Sequence, residues 1–323
     1  MQRKLIRQGA GGYTIYLPKR WVDAKGLSGG DVVQLRDESG TITIDTPTRQ
    51  RKEVSIPLSD ESDTDLRNLL THHYRTGVDT IRITSASVAQ QRSIQRTTDD
   101  LLLGFEITSR KGDTMLIENV SEPSGERYDT LLRRVFLLIF ETDDLVLARA
   151  KGTQIEEPVI TEHRRQLDEF VLFCRRTIQK DRYARDPLLH WELLTFLMHI
   201  EHAYAYLFTR IAERKGKCSS QTVALLQGCK PYFTLLYDAY YQRDAERIRR
   251  MNNEKEMQHF TACYRALAKT AGQESIIVAH VRELYRLMQI GSSPVLAMIL
   301  KGEQAISGTE QSTSLGTSPH SEG

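Results

Sequence analysis

The stretch QGAGGYTIYLPKRWVDAKGL, from Gln8 to Leu27, decides how this chain is read. Tyr13, Ile15 and Leu17 recur at period two, the spacing of one face of a short strand. Lys4 to Arg7 reads as a strand before it, with Gly9, Gly11 and Gly12 supplying the turn. Pro18 suits the first position of a helix, where its missing N–H is no loss, and Gly26 suits the end, so Pro18 to Lys25 is expected to form two helical turns. Ser28 to Asp31 is a turn. Val32 to Arg36 and Thr41 to Asp45 are two further strands across the turn Asp37-Glu38-Ser39-Gly40. The module, residues 1–46, therefore runs strand, strand, helix, strand, strand. Nothing so small buries much surface by itself, and without a cysteine to staple it, dimerisation is the expected remedy.

Charge gives this module its chemistry. The whole chain of 323 residues carries 44 Lys and Arg against 42 Asp and Glu, a net charge of only +2. Any affinity for nucleic acid must then come from uneven distribution. From Met1 to Lys25 the bases are Arg3, Lys4, Arg7, Lys19, Arg20 and Lys25, whereas the acid is Asp23 alone. Arg3, Lys4, Arg7, Lys19 and Arg20 are the candidate contacts to double-stranded DNA, because their cations neutralise phosphates and arginine also reads guanine edges. Glycines near Ala10 allow backbone N–H groups close to a phosphate, and the helix starting at Pro18 offers its positive end. By residue type alone, a solvated basic face with turn glycines remains the alternative.

The order of elements, with LPKRW at Leu17 to Trp21, GLSGGDVV at Gly26 to Val33 and ITI at Ile42 to Ile44, resembles the AbrB/SpoVT/MazE-like swapped-hairpin domain. That resemblance implies a dimeric β-barrel built from interleaved hairpins of two chains, gripping DNA with basic residues on its exposed face.

Beyond a polar linker at Pro47 to Lys52, residues 52–122 alternate strand and helix: Glu53 to Ile56, Asp63 to Thr76, Thr80 to Thr84, Ser87 to Leu103, Phe105 to Ser109 and Thr114 to Val120. This is a small α/β domain. From residue 124 to 301 the apolar positions, Leu131, Val135, Leu138 and Ile139 among them, return at helical spacing. Six helices are expected: Gly125 to Lys151, Ile160 to Tyr183, Leu188 to Lys215, Ser219 to Arg249, Asn252 to Thr270 and Glu274 to Leu300. Pro231 and Pro294 should kink or divide the two helices that hold them. Residues 302–323 keep few large apolar side chains and are expected to be a disordered tail. With 40% hydrophobic and 27% charged residues, and no apolar run near the length of a membrane span, the composition is that of a cytoplasmic globular protein. Cys174, Cys218, Cys229 and Cys263 form no CxxC pair and are expected to be free thiols.

The full order, a swapped-hairpin module, an α/β domain and six helices with YDTLLRRVFLLIF at Tyr128 to Phe140, resembles archaeal PhoU-type phosphate uptake regulators. The fold class this implies is multidomain α+β ending in a PhoU-like pair of three-helix bundles. The function implied is DNA-binding regulation of phosphate uptake by a homodimer; the alternative is regulation by docking phosphate transporter components or a sensor kinase, with the N-terminal module only dimerising. Many relatives hold metal clusters through E/D-x-x-x-D carboxylates. Here that spacing is lost: Glu201 is followed by Ala205, Glu283 by Leu287, Asp168 by Leu172, Asp238 by Gln242 and Glu254 by Gln258. No cofactor and no metal cluster are therefore expected, and His199, Glu201 and His202 are left as candidates for a single ion, with surface or core histidines the plainer reading. Trp191, Phe196, Tyr204, Tyr206, Phe208, Phe233, Tyr237, Tyr240 and Tyr241 read as core or helix-to-helix packing. Gly26 to Gly30 fits GxSxG, but a helix precedes it and a strand follows, the reverse of a nucleophile elbow, so no enzyme is expected.

Overall fold

A computed structural model describes the chain apart from residues 1, 10, 39–40, 47–50, 122–124, 181–185, 215, 255–259 and 315–323, and apart from the side chains of 36–38, 41, 45, 125 and 303–314. The expected turn residues Ser39 and Gly40, most of the linker at Pro47 to Lys52, the boundary at Glu122 and Pro123 and the end of the tail fall outside the described residues. The chain divides into two compact units, Met1–Arg51 and Lys52–Gly323.

In the first unit, β1 (Ile6–Gln8) pairs antiparallel with β2 (Gly12–Thr14), Arg7 standing opposite Tyr13. Gly9 turns the chain between them at φ +58°, a left-handed conformation that costs glycine little. The helix α1 (Lys19–Ala24) is only six residues long, and Pro18 is its extended N-cap rather than its first helical residue. A separate two-stranded sheet follows, β3 (Gln34–Glu38) against β4 (Thr41–Asp45). Both expected strand pairs form, the first with shorter strands and the second with β3 starting two residues later than expected, and the described strands of one chain close no barrel. Two hairpins of three to five residues per strand have too few strands to close on themselves.

The second unit begins with β5 (Glu53–Pro57), α2 (Asp63–Arg75), β6 (Thr80–Thr84), α3 (Val88–Leu101), β7 (Phe105–Lys111) and β8 (Thr114–Asn119). The sheet order is β5-β6-β8-β7, with β5 and β6 parallel and the other pairs antiparallel. Both helices start where reciprocal capping boxes fix them: Ser62 with Asp65, and Ser87 with Gln90. Leu66, Leu70 and Tyr74 repeat every four residues on α2 and pack with Ile94 and Leu101 of α3 against Ile81, Ile83, Met115 and Ile117.

Among the described residues eight helices follow: α4 (Gly125–Ala150), α5 (Glu157–Gln179), α6 (Pro187–Ala212), α7 (Ser220–Gln227), α8 (Cys229–Gln242), α9 (Ala245–Glu254), α10 (Thr261–Leu267) and α11 (Gln273–Ser314). The helical bundle is as expected, but its count is not six. Periodicity ran through the breaks. Pro231 cannot bond to the carbonyl of Gln227, and the chain divides there at Gly228, whose absent side chain leaves room for the Tyr285 hydroxyl. Arg243 then turns left-handed and ends α8 before Arg249 is reached. Pro294, by contrast, lies inside α11, which continues as one helix past the expected boundary at Gly302 to Ser314. α4, α5 and α6 pack on one another, α6 and α11 join this group to the remaining helices, and one continuous apolar core runs through all of them.

A buried charge cluster ties the α/β domain to the bundle. Arg176 of α5 is 1% exposed, donates to the carbonyls of Tyr74 (3.0 Å) and Val78 (2.5 Å) and to Asp79 (2.8 Å), and lies over the ring of Phe105. Lys180 also pairs with Asp79, whose second oxygen accepts from the Lys52 N–H at 3.0 Å. Burial pushes the Asp79 carboxyl up, but hydrogen bonds from Lys180 and Lys52 and the charges of Lys180 and Arg176 outweigh it, holding the group below its ordinary value.

Candidate nucleic-acid interface

Arg3 and Lys4 precede β1, Arg7 lies on β1, and Lys19 and Arg20 open α1; all five are exposed. Among the described residues none of the five makes a hydrogen bond or ion pair through its side chain. Elsewhere several cations are held internally: Arg165 by Glu162 and Glu169, Arg286 by Glu283, and Lys230 by Asp144. The N-terminal module thus offers its guanidinium and ammonium groups to solvent. The helix-end contribution expected at Pro18 drops out, because six residues give too few aligned peptides to make an anion site.

Apolar exposure accompanies the charge. No described residue of the first unit is buried; Leu17, Trp21, Val22, Leu27, Val33 and Ile44 are only half-buried. Leu5, Tyr13, Tyr16, Val32, Leu35 and Ile42 are each at least 64% exposed. The GxSxG match is a turn: the Ser28 N–H donates to the Asp31 carboxylate at 2.7 Å, and the Asp31 N–H returns to the Ser28 carbonyl at 3.1 Å.

The three single-ion candidates on α6 do not converge. His202 Nε2 lies 2.8 Å from Asp168 Oδ1, while Arg67 holds the other Asp168 oxygen at 3.1 Å. His199 is exposed, and Glu201 points inward with 0% exposure and no hydrogen bond to either carboxylate oxygen. Among the described residues no group of three or more His, Cys, Asp or Glu is placed to hold a metal ion. Burial, then the nearby Asp168 charge, push the Glu201 carboxyl up to about 8 against the pull of Arg164. Asp143 of α4, buried and bonded to the Tyr204 hydroxyl at 2.7 Å, is pushed up by burial to about 6.

The aromatic residues of the bundle divide as packing requires. Phe233, Tyr237, Tyr240 and Tyr241 meet Phe136 within 5.8 Å between ring centroids, whereas Tyr206 is 53% exposed under the Arg164 guanidinium. Sequence reasoning did not find the Asp79, Arg176, Lys180 cluster: Arg176 and Lys180 are one helical turn apart, but their partner Asp79 lies about a hundred positions away. All four cysteines are free and buried. Among the described residues no helix is long and apolar enough to cross a membrane.

No family model, no curated protein and no solved structure matches this chain.

Proposed function

We propose that the chain is a DNA-binding regulator, in which two copies of the first unit combine their hairpins into one swapped-hairpin barrel and present Arg3, Lys4, Arg7, Lys19 and Arg20 to the phosphate backbone. One observation carries the reading: five exposed cations without internal partners lie on a unit in which no described residue is buried. A second copy supplies the missing cover and doubles the charge. The bundle serves as the regulatory body in this reading, and its link to phosphate uptake comes with the resemblance in element order.

Titrating labelled duplex DNA against the full chain at several salt concentrations tests this. Arg7→Ala combined with Arg20→Ala should weaken binding and flatten the slope of log K against log salt, by roughly 0.9 for each phosphate that no longer has its cation. An unchanged affinity and slope would sink the DNA reading. A second reading, in which the first unit only dimerises and the bundle docks a transporter component or sensor kinase, draws on the apolar exposure alone. It predicts that the double variant keeps regulation intact in cells.

A further inference from the structure

At the end of the bundle where α4, α6, α8 and α11 meet, a cavity of about 280 Å³ opens to solvent. Its apolar lining is made by Leu132, Val295, Met298 and Ile299, with the rings of Tyr240 and Tyr241. Four polar residues complete it: Asp129 of α4, Asp186 just before α6, His190 of α6, and Arg243 beyond α8.

Two features separate this cavity from an ordinary surface dent. Asp186 and Arg243 both have left-handed backbones, at φ +49° and φ +54°, and both line it. Only three described non-glycine residues do so in the whole chain, and a left-handed L-residue costs on the order of 1 kcal/mol. The free charges are also complementary. Lys301 occupies the Asp186 carboxylate, and the Tyr128 hydroxyl is hydrogen bonded to His190 Nδ1 at 2.9 Å. Burial pushes the His190 imidazole down to about 4, so it is neutral at pH 7. One guanidinium, Arg243, and one carboxylate, Asp129, are then left, each exposed and without a hydrogen bond or ion pair among the described residues.

A simple carboxylic acid would satisfy Arg243 and meet Asp129 with like charge; a simple amine would do the reverse. A molecule with an ammonium and a carboxylate group on one carbon and an apolar body matches the two side chains and the aliphatic lining together. The volume lies just below the range of roughly 300–1,000 Å³ for drug-sized ligands, which suits a single small molecule. We propose that this cavity binds a free apolar α-amino acid, with its carboxylate on Arg243, its ammonium group on Asp129 and its side chain against the aliphatic lining. Such a site is independent of DNA binding by the first unit.

Calorimetry on the full chain with L-leucine, L-methionine and L-phenylalanine, each beside its amide and its deaminated acid, tests the assignment. At least one amino acid should bind, and its two singly charged analogues should each bind about tenfold more weakly, the worth of one charge-assisted hydrogen bond. Arg243→Gly removes the guanidinium while relieving the left-handed backbone, so it should raise Tm yet weaken binding about tenfold. Asp129→Asn, at an exposed position, should give a similar loss without disturbing the fold. No heat from any of the amino acids at millimolar concentration would overturn the proposal. So would equal affinity for the deaminated acid, or undiminished binding by both variants.

Discussion

The two units bury apolar surface by different means. From Lys52 onward, a sheet covered by helices and a helical bundle each enclose a core of buried side chains. In Met1–Arg51 no described residue is buried, and Leu5, Tyr13, Tyr16, Val32, Leu35 and Ile42 are exposed. Charge differs in a parallel way: many cations of the second unit, Arg165, Arg176, Lys230 and Arg286 among them, hold internal carboxylates, while Arg3, Lys4, Arg7, Lys19 and Arg20 of the first are open. A unit that satisfies itself internally can serve as a body; one that satisfies neither its apolar nor its charged groups is built to meet other molecules.

The sharpest test of the self-sufficient unit is Asp79. Asp79→Ala leaves the buried cations Arg176 and Lys180 facing one another without their counter-charge, and should cost about 3–5 kcal/mol. Urea unfolding followed through the bundle tryptophan Trp191 would show it, with no change in the oligomeric state of the chain. A cost below about 1 kcal/mol, the worth of an exposed pair, would mean that the cluster does not hold the α/β domain to the bundle.

For the other unit the expected failure is association rather than folding of the bundle. Leu35→Asp together with Ile42→Asp places charge on two exposed apolar positions, and burying each native side chain is worth roughly 1.5–3 kcal/mol. Sedimentation should show a dimer of the parent chain converted to monomer, with bundle stability unchanged. A parent chain that is already monomeric at micromolar concentration would break the comparison itself.

Glu201 gives a smaller, pH-dependent effect confined to the bundle. Its folded carboxyl titrates at about 8 against 4.5 unfolded, so the folded state holds a proton that the unfolded state releases. That contribution is complete below pH 4.5 and is lost as pH rises through about 8. His190 titrates between about 4 and 6.5 and Asp143 up to about 6, so Glu201 dominates above pH 6.5. Unfolding stability should fall by about 2 kcal/mol between pH 6.5 and 8, at 1.36 kcal/mol per unit, and Glu201→Gln should flatten that slope. An equal slope in the variant would place the titration elsewhere.

Much of this contrast was legible in the sequence, and the gaps have physical causes. Strands and helices of the α/β domain could be placed because local chemistry marks them: Ser62 and Ser87 cap their helices, and Ile81 and Ile83 alternate with polar neighbours. The candidate cations could be named because side-chain charge needs no fold to be seen. Helix boundaries in the bundle were missed where tertiary packing decides. Gly228 is demanded by the Tyr285 hydroxyl, and Arg243 adopts a left-handed backbone that its residue type does not announce. The cavity between Asp129 and Arg243 was invisible for the same reason: its residues come from four helices and share no spacing.

The finest test separates local from tertiary control. Ser87 both receives the Gln90 N–H and donates its own N–H to the Gln90 side chain, whereas Pro18 gives α1 no side-chain cap. Ser87→Ala should therefore cost the second unit about 1 kcal/mol. The loss should appear in thermal unfolding alone, with self-association and DNA affinity unchanged, because neither property draws on the cap. A parallel loss of DNA affinity would show that the first unit depends on the second for its shape.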